Sequence, residues 1–210
     1  SPTGDAKFCL TISWSQGRRD ASADLSLTMK LNFDKDVFSN GQVDSKLWLC
    51  RELENLNLTT NQTVYIYGGW HGLLGFLLLS RERMPINHIR SIDIDSNACE
   101  MADLINENYV FKGWKFKSIH ANANSVEPLD ASIVINTSCE HFDKMDWFNK
   151  IPNGTLVALQ SNNLKHDHEI TAGVNSIEEM LDKYPLDTLL YSGSLDFKYP
   201  DKSFTRFMLI

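Results

Sequence analysis

The stretch Val64-Tyr65-Ile66-Tyr67-Gly68-Gly69-Trp70-His71-Gly72 decides the fold class of this 210-residue chain. β-branched and aromatic residues, which are typical of a buried strand, run directly into glycines, and an apolar segment of helical length follows. A glycine-rich turn between a strand and a helix lets the backbone approach a ligand closely while helix N–H groups point toward it. The sequence therefore predicts a strand–turn–helix unit with a ligand at its turn.

An acidic residue follows the glycine turn at a sequence separation that is typical of nucleotide-binding units. Residues 91–94 form a second predicted strand that carries Asp93. Gly69 and Asp93 are 93 − 69 = 24 positions apart, close to the roughly 20 residues expected when a carboxylate binds ribose hydroxyls. The pattern predicts a nucleoside-containing cofactor. NAD is the main rival, but the Gly-x-Gly-x-x-Gly spacing that favours it is missing.

Strands and helices alternate from about residue 42 to residue 210. The predicted strands are 64–67, 89–94, 116–121, 133–136, 155–160, 188–197 and 203–210, and the predicted helices are 44–56, 73–81, 97–108, 142–148 and 176–184. This alternation predicts an α/β fold with a mostly parallel, doubly wound sheet and helices on both faces. The link between the last two strands is short and polar, which predicts an antiparallel C-terminal hairpin.

The first 40 residues differ from the rest. Residues 8–14 and 25–33 alternate apolar and polar side chains around a polar stretch at 16–20, which predicts a β-hairpin. We therefore interpret residues 1–40 as an N-terminal β appendage or linker, and residues 41–210 as one ligand-binding domain. The appendage is a candidate surface for oligomer formation.

Composition limits the classes of partner. The net charge of −7 disfavours non-specific binding to nucleic acid. No apolar run reaches the ~18 residues that span a bilayer, so no membrane partner is expected. The four cysteines, Cys9, Cys50, Cys99 and Cys139, form no CxxC pair, which argues against a zinc knuckle or a disulfide framework. We expect a reducing, cytoplasmic location.

With these features the chain resembles the class I S-adenosylmethionine-dependent methyltransferases over roughly residues 42–210. That family has a glycine-rich turn after its first strand, an acid after its second, and a sheet that ends with an antiparallel strand. The resemblance implies S-adenosylmethionine as the cofactor. It also implies that a helix lies over the cofactor, and residues 42, 45 and 48 stand where that helix is expected.

The resemblance also assigns residues to the cofactor. The glycine turn implies contact with the methionine part, Asp93 binds the ribose, Ile94 lies against the adenine, and two residues after the third strand border the adenine amino group. The end of the fourth strand borders the acceptor. The cofactor-binding set implied in this way is Tyr67, Gly68, Gly69, Gly72, Asp93, Ile94, Asn122, Ala123 and Asn136.

Glu140 and His141 are the candidate catalytic residues, because two titratable side chains after the acceptor-facing strand can act as a general base. Helix capping and simple solvent exposure are the structural alternatives. Cys139 stands where cytosine-modifying enzymes place a nucleophile, but the preceding proline is missing, and a buried structural cysteine is favoured. The His166-Asp167-His168 loop could join His141 around a metal, although we expect no metal.

The expected function is methyl transfer to a small-molecule or protein nucleophile. Tyr67 stands where the family has an acid, and Gly68 and Gly69 are adjacent rather than separated by one residue. This departure leaves two alternatives open. One is transfer of the aminobutyryl arm of the same cofactor, and the other is a non-catalytic binding or assembly module.

Overall fold

The computed structural model describes residues 8–10, 31–164, 171–200 and 202–210. In chain order the elements are β1 (Phe8–Leu10), β2 (Leu31–Phe33), α1 (Asn40–Asn55), β3 (Gln62–Tyr67), α2 (Leu73–Arg81), β4 (Ile86–Asp93), α3 (Ser96–Ile105), α4 (Glu107–Val110), β5 (Phe116–His120), β6 (Ile133–Asn136), α5 (Asp146–Asn149), β7 (Leu156–Asn162), α6 (Ile177–Lys183), β8 (Ser192–Lys198) and β9 (Ser203–Leu209). Short 3-10 helices cover Lys35–Phe38, Ala123–Ser125 and Cys139–His141.

The large sheet confirms the predicted fold class. Within the described residues it has seven strands in the order β5-β4-β3-β6-β7-β9-β8. The strands β5, β4, β3, β6 and β7 pair in parallel, whereas β9 runs antiparallel to both β7 and β8. The C-terminal hairpin therefore does not simply extend the sheet: its second strand returns between β7 and β8.

The strand order creates a crevice at the carboxyl end of β3. The chain proceeds from β3 to β4 on one side and later fills the other side with β6. Crossovers leave in opposite directions at this point, and ligands bind in the crevice that this arrangement opens.

Apolar strands explain why the sheet is buried on both faces. Every residue of β6 is buried, and β3 alternates buried and half-buried positions until its last two residues, which are both buried. On one face, Leu49 and Leu53 of α1 and Leu74 of α2 pack against the sheet. On the other face, Trp147 packs with the core residues of α6 and β9. Buried sheets of this kind require continuous apolar runs.

Several predicted boundaries shift for identifiable reasons. The helix predicted over 97–108 ends at Ile105, because the buried Asn106 amide donates to the carbonyls of Ala102 and Gly72 at 2.9 and 3.1 Å. Its predicted start is confirmed, since the Asp95 carboxylate accepts the backbone N–H groups of Asn97 and Ala98.

Other boundaries were wrong. The first helix begins at Asn40 rather than at residue 44, and β8 begins at Ser192 rather than at residue 188. The single helix predicted over 142–148 is instead the 3-10 helix Cys139–His141 followed by the short α5.

The N-terminal segment forms a separate antiparallel pair in which Cys9 of β1 lies opposite Asn32 of β2. The residues between these strands lie outside the described part, and the division of the chain at residue 40 stays a prediction. No helix in the described ranges is long and apolar enough to cross a membrane.

Candidate functional site

A cavity of about 870 Å³ opens at the carboxyl ends of the central parallel strands. Its wall includes the glycine turn after β3, the acidic residue at the end of β4, and the segments that follow β5 and β6. Eight sequence-predicted residues meet there: Gly68, Gly69, Asp93, Ile94, Asn122, Ala123, Glu140 and His141. The topology therefore brings together side chains that are up to 73 positions apart, since 141 − 68 = 73.

The turn after β3 has an unusual backbone. Gly68 has a φ of 63°, and the following Trp70 is also left-handed, with a φ of 48°. Gly69 must be small for another reason: a Cβ atom there would lie 1.9 Å from the Oγ atom of Ser91 on β4. The turn is thus pressed against the neighbouring strand, and its backbone forms part of the cavity wall.

Asp93 holds this turn in place. One carboxylate oxygen of Asp93 accepts the backbone N–H of Trp70 at 2.8 Å, and the other accepts the N–H of Asp95 at 3.0 Å. The side chain is half-buried at the cavity wall. An ionised carboxylate has about four acceptor positions, so it can still accept hydroxyl groups from a ligand.

The residues beyond Asp93 form an apolar and amide-lined part of the cavity. Ile94 is 68% exposed although it is large and apolar, so its surface is available to a planar ring. Asn122 and Ala123 follow β5 across the cavity, and the Asn122 carboxamide accepts the N–H of Asn124 at 2.9 Å. Exposed apolar surface inside a cavity often belongs to a binding site.

Three residues that were predicted to bind the cofactor lie behind the cavity wall, as far as the described residues form it. Tyr67 is fully buried, and its ring packs edge-on against Trp147 at a centroid distance of 5.7 Å. Gly72 precedes α2, where a Cβ atom would meet Ala102 at 2.9 Å. Asn136 is fully buried, and its carboxamide accepts the N–H of Ser138 at 2.9 Å. These residues shape the wall from behind, and their cofactor contacts stay predictions.

The segment after β6 separates two candidate catalytic side chains. Glu140 is only 3% exposed; its Oε1 atom lies 3.5 Å from Nη2 of Arg206 and also accepts from the Asn162 carboxamide. Its Oε2 atom has no hydrogen-bond partner among the described residues. His141 is exposed at the cavity wall.

Cys139 is fully buried behind this segment, and its thiol contacts the carbonyl of Asn136 at 3.5 Å. Burial raises the pKa of the Cys139 thiol well above its ordinary value. A thiol that is protonated and buried is a poor nucleophile, so the structure favours the structural interpretation of Cys139.

Sequence reasoning missed two basic residues of the cavity. Lys46 lies on α1 and is 9% exposed, and Arg206 lies on β9 and is 8% exposed. Both line the cavity. Burial, followed by the proximity of Arg206, lowers the pKa of the Lys46 ammonium to about 7. The signal for Arg206 was a single cation in the apolar run of residues 204–210.

The segment that enters α1 completes the cavity. Gln42 on the first turns of α1 lines it and accepts a hydrogen bond from Lys46. Asp34 and Asp36, which lie just before α1, also line it. Of the three residues expected on a helix over the cofactor, Gln42 lines this opening, whereas Ser45 and Trp48 are not among its lining residues.

The candidate metal loop at residues 166–168 lies outside the described residues. Among the side chains that the structure does describe, no group of three or more His, Cys, Asp and Glu residues could hold a metal ion.

Comparison with known proteins identifies structures that have a similar fold. No protein-family model matches the chain, and no curated protein matches its sequence. Solved structures do match. The N-methyltransferase NodS from Bradyrhizobium japonicum WM9, in complex with S-adenosylhomocysteine, has a TM-score of 0.60 at 10% identity, covering 83% of this chain and 89% of NodS.

Two further methyltransferase structures are similar. Geranyl diphosphate methyltransferase, in complex with geranyl diphosphate and sinefungin, has a TM-score of 0.60 at 12% identity, covering 80% of this chain and 76% of that one. TrmK from M. capricolum, in complex with S-adenosylhomocysteine, has a TM-score of 0.51 at 11% identity, covering 76% and 66%. The predicted resemblance is confirmed at the level of the fold: this chain has the α/β fold of the S-adenosylmethionine-dependent methyltransferases.

Proposed function

We propose that this protein binds S-adenosylmethionine and transfers its methyl group to a nucleophile on a small molecule or a protein. The position of Asp93 carries the proposal. Its carboxylate stands at the end of the strand beside the crevice at β3, on the wall of a cavity that the glycine turn also lines. In doubly wound sheets, ribose hydroxyls are bound at this place. The bound S-adenosylhomocysteine in NodS and TrmK, which share the fold, supports the same cofactor.

The charge of the cavity supports a cationic ligand over a dinucleotide. Among the residues that the structure describes, six carboxylate side chains line it, against the two basic side chains Lys46 and Arg206. The carboxylates belong to Asp34, Asp36, Asp93, Asp95, Glu140 and Asp143. The sulfonium group of S-adenosylmethionine is positive, and negative surroundings attract it. The pyrophosphate of NAD would be repelled by most of this wall.

The adenosine has a natural place at the β4 side of the cavity. In the proposed complex Asp93 accepts the ribose hydroxyls, Ile94 contacts one face of the adenine, and Asn122 and Ala123 border its edge. The exposed Ile94 side chain supports this arrangement, because a ring stacked on it would cover an apolar surface that is now 68% exposed.

The methionine part of the cofactor would lie along the backbone of Gly68 and Gly69. Tyr67, Gly72 and Asn136 would act from behind the wall by fixing the course of that backbone. A side chain at Gly68 would project toward the ring of Phe142, 3.2 Å from its Cβ position. This tight packing supports a positioning role for the turn.

The sulfonium supplies an electrophilic methyl carbon, and the protein must align a nucleophile with it. The nucleophile forms a bond to the methyl carbon, the bond to sulfur breaks, and its electron pair remains on the sulfur of S-adenosylhomocysteine. A base next to the acceptor removes the proton of the nucleophile. Glu140 and His141 both line the cavity and are the candidates for this step. Alignment supplies most of the acceleration in such a reaction.

The test is to incubate the purified protein with S-adenosylmethionine and cell extract fractions, and to identify the cofactor product by mass spectrometry. Methyl transfer yields S-adenosylhomocysteine, whereas aminobutyryl transfer yields methylthioadenosine. The Asp93→Ala variant is the negative control. Methylthioadenosine as the enzymatic product would replace the proposed reaction, and cofactor that is bound but never consumed would favour a binding module.

A further inference from the structure

Lys46 and Arg206 form a buried basic pair at one end of the cavity. They come from α1 and β9, which are far apart in sequence, and each residue is more than nine-tenths buried. Asp93 and Asp95 lie at the other end, after β4. Two positive side chains therefore mark this end of the cavity, whereas most of the charged residues on its wall are carboxylates.

The fold holds Arg206 firmly at this position. Arg206 pairs with Asn162, the last residue of β7, because β9 runs antiparallel beside that strand. Its Nη1 atom donates to the carbonyl of Thr137 at 2.9 Å, which turns the guanidinium toward the end of β6. Its Nε atom is buried and has no hydrogen-bond partner in the described ranges. The guanidinium is thus fixed in orientation while part of its donor capacity is unused.

In the described part of the chain, one buried carboxylate faces these two cations. The Oε1 atom of Glu140 lies 3.5 Å from Nη2 of Arg206, and the same oxygen accepts a hydrogen bond from the Asn162 carboxamide. Asp36, the other acidic side chain that acts on Lys46, is exposed to solvent. Buried charges require compensation by partners of opposite sign. If Lys46 is protonated, the pair exceeds the charge of Glu140 by one positive unit.

We propose that Lys46 and Arg206 form a binding site for a single carboxylate-type anion at the β9 end of the cavity. Such an anion would compensate the excess positive charge and accept from the unused guanidinium donor, in the charge-assisted geometry that arginine favours. Two sources can present this group. One is the carboxylate of the methionine arm of the cofactor, and the other is a carboxylate on the acceptor. The choice between these two sources rests on the proposed function, whereas the anion site itself does not.

Binding of the anion is expected to depend on pH through Lys46. The groups that face its ammonium are Arg206, which lowers its pKa, and Glu140, Asp36 and Cys50, which raise it. Burial and the charge of Arg206 outweigh these acidic groups, so the pKa of Lys46 without a ligand is about 7. An anion favours the protonated form, so its binding takes up a proton above pH 7 and weakens as the pH rises toward 9.

The experiment compares the wild type, Lys46→Met and the control Lys112→Met. Met preserves the length of the lysine stem and removes the charge. Lys112 is exposed before β5, at the amino end of that strand and hence away from the cavity. Calorimetry measures the affinity for S-adenosylhomocysteine and for methylthioadenosine, which has no amino-acid arm. Thermal unfolding in sodium acetate, against sodium chloride at equal ionic strength, measures the anion site without any nucleoside.

Acetate at about ten times its dissociation constant should raise the Tm of the wild type and of Lys112→Met by roughly 3–6 °C. Lys46→Met should lose this rise. If Lys46→Met also weakens S-adenosylhomocysteine binding by at least about tenfold while methylthioadenosine binds as before, the carboxylate is that of the cofactor. If both nucleosides bind as before and only the acetate effect is lost, the carboxylate is that of the acceptor.

The proposal is overturned if acetate shifts all three proteins equally and Lys46→Met binds S-adenosylhomocysteine like the wild type. Arg206→Lys is the second variant, because it retains the charge and the pair with Glu140 while it removes the guanidinium fork; it should keep part of the acetate effect. A wild type that binds neither nucleoside but shows the Lys46-dependent acetate effect would refute the proposed function and leave the anion site standing.

Discussion

Replacement of Asp93 by Asn should weaken both the cofactor site and the turn beside it. The carboxylate of Asp93 accepts two backbone N–H groups, one from Trp70 and one from Asp95. An Asn side chain has a single oxygen, so its amino group must face one of these donors. Trp70 has a φ of 48°, a left-handed conformation that costs a non-glycine residue roughly 1–2 kcal/mol. The bond from Asp93 offsets this cost.

The expected magnitudes follow from the bonds that are lost. A hydrogen bond to a charged group contributes about 1.5–3 kcal/mol, so the loss of one of them should reduce the free energy of unfolding by about 1.5–3 kcal/mol. At this chain length each kcal/mol corresponds to roughly 2–4 °C, which gives a fall in Tm of roughly 3–12 °C. The ribose hydroxyls lose a charged acceptor as well, so the affinity for S-adenosylhomocysteine should fall at least about tenfold.

Scanning calorimetry and titration calorimetry measure the two effects separately. Asp182→Asn is the matched control, since it makes the same chemical change at an exposed position of α6 that does not line the cavity. It should change Tm and affinity little. A folded Asp93→Asn protein that binds S-adenosylhomocysteine as tightly as the wild type would refute the assignment of Asp93 to the ribose.

Three further predictions concern other parts of the site. Gly69→Ala should lower Tm, because its Cβ atom would meet Ser91 Oγ at 1.9 Å, and Ser91→Ala should restore part of the loss; equal stability of Gly69→Ala and the wild type would contradict the packing. If Glu140 is the base, Glu140→Gln should lower kcat by about 10²–10⁴-fold, and a larger loss for His141→Ala would transfer the role to the histidine. Burial lowers the pKa of His71 below 6.5, so the folded protein holds it neutral while the unfolded chain takes up a proton; stability should be full above pH 6.5 and fall as the pH drops below it. His71→Gln should remove that part of the acid sensitivity, and an unchanged profile of Tm against pH would argue against it.

The parallel sheet was predictable because each of its strands carries a local signal. The strand predicted over 133–136 agrees with β6 to the residue, and the helix predicted over 73–81 agrees with α2. Apolar runs bounded by turn residues identify buried strands regardless of what lies beside them. The insertion of β9 between β7 and β8 followed no local signal, since strand order depends on contacts across the whole sheet.

The β4 side of the site was also readable from the sequence. The turn at Gly68 and the acid at Asp93 belong to one strand–helix–strand unit, so their separation along the chain reflects their separation in space. The β9 end was not readable. Lys46, Glu140 and Arg206 meet only because α1, the turn after β6 and the inserted strand β9 converge there.

Local reasoning did not predict which side of the strand end the Tyr67 ring occupies. The ring packs in the core against Trp147, and the contact of this residue with the cofactor stays a prediction. The last two residues of β3 are both buried, which breaks the alternation that a sequence reading would assume.

A crystal structure of the complex with S-adenosylhomocysteine tests the central claim most directly. We expect the ligand in the cavity at the ends of β3 and β4. Both ribose hydroxyls should lie within hydrogen-bond distance of the Asp93 carboxylate, and the adenine should contact Ile94. A complex at saturating ligand with this cavity empty, or with the ribose away from Asp93, would contradict the account.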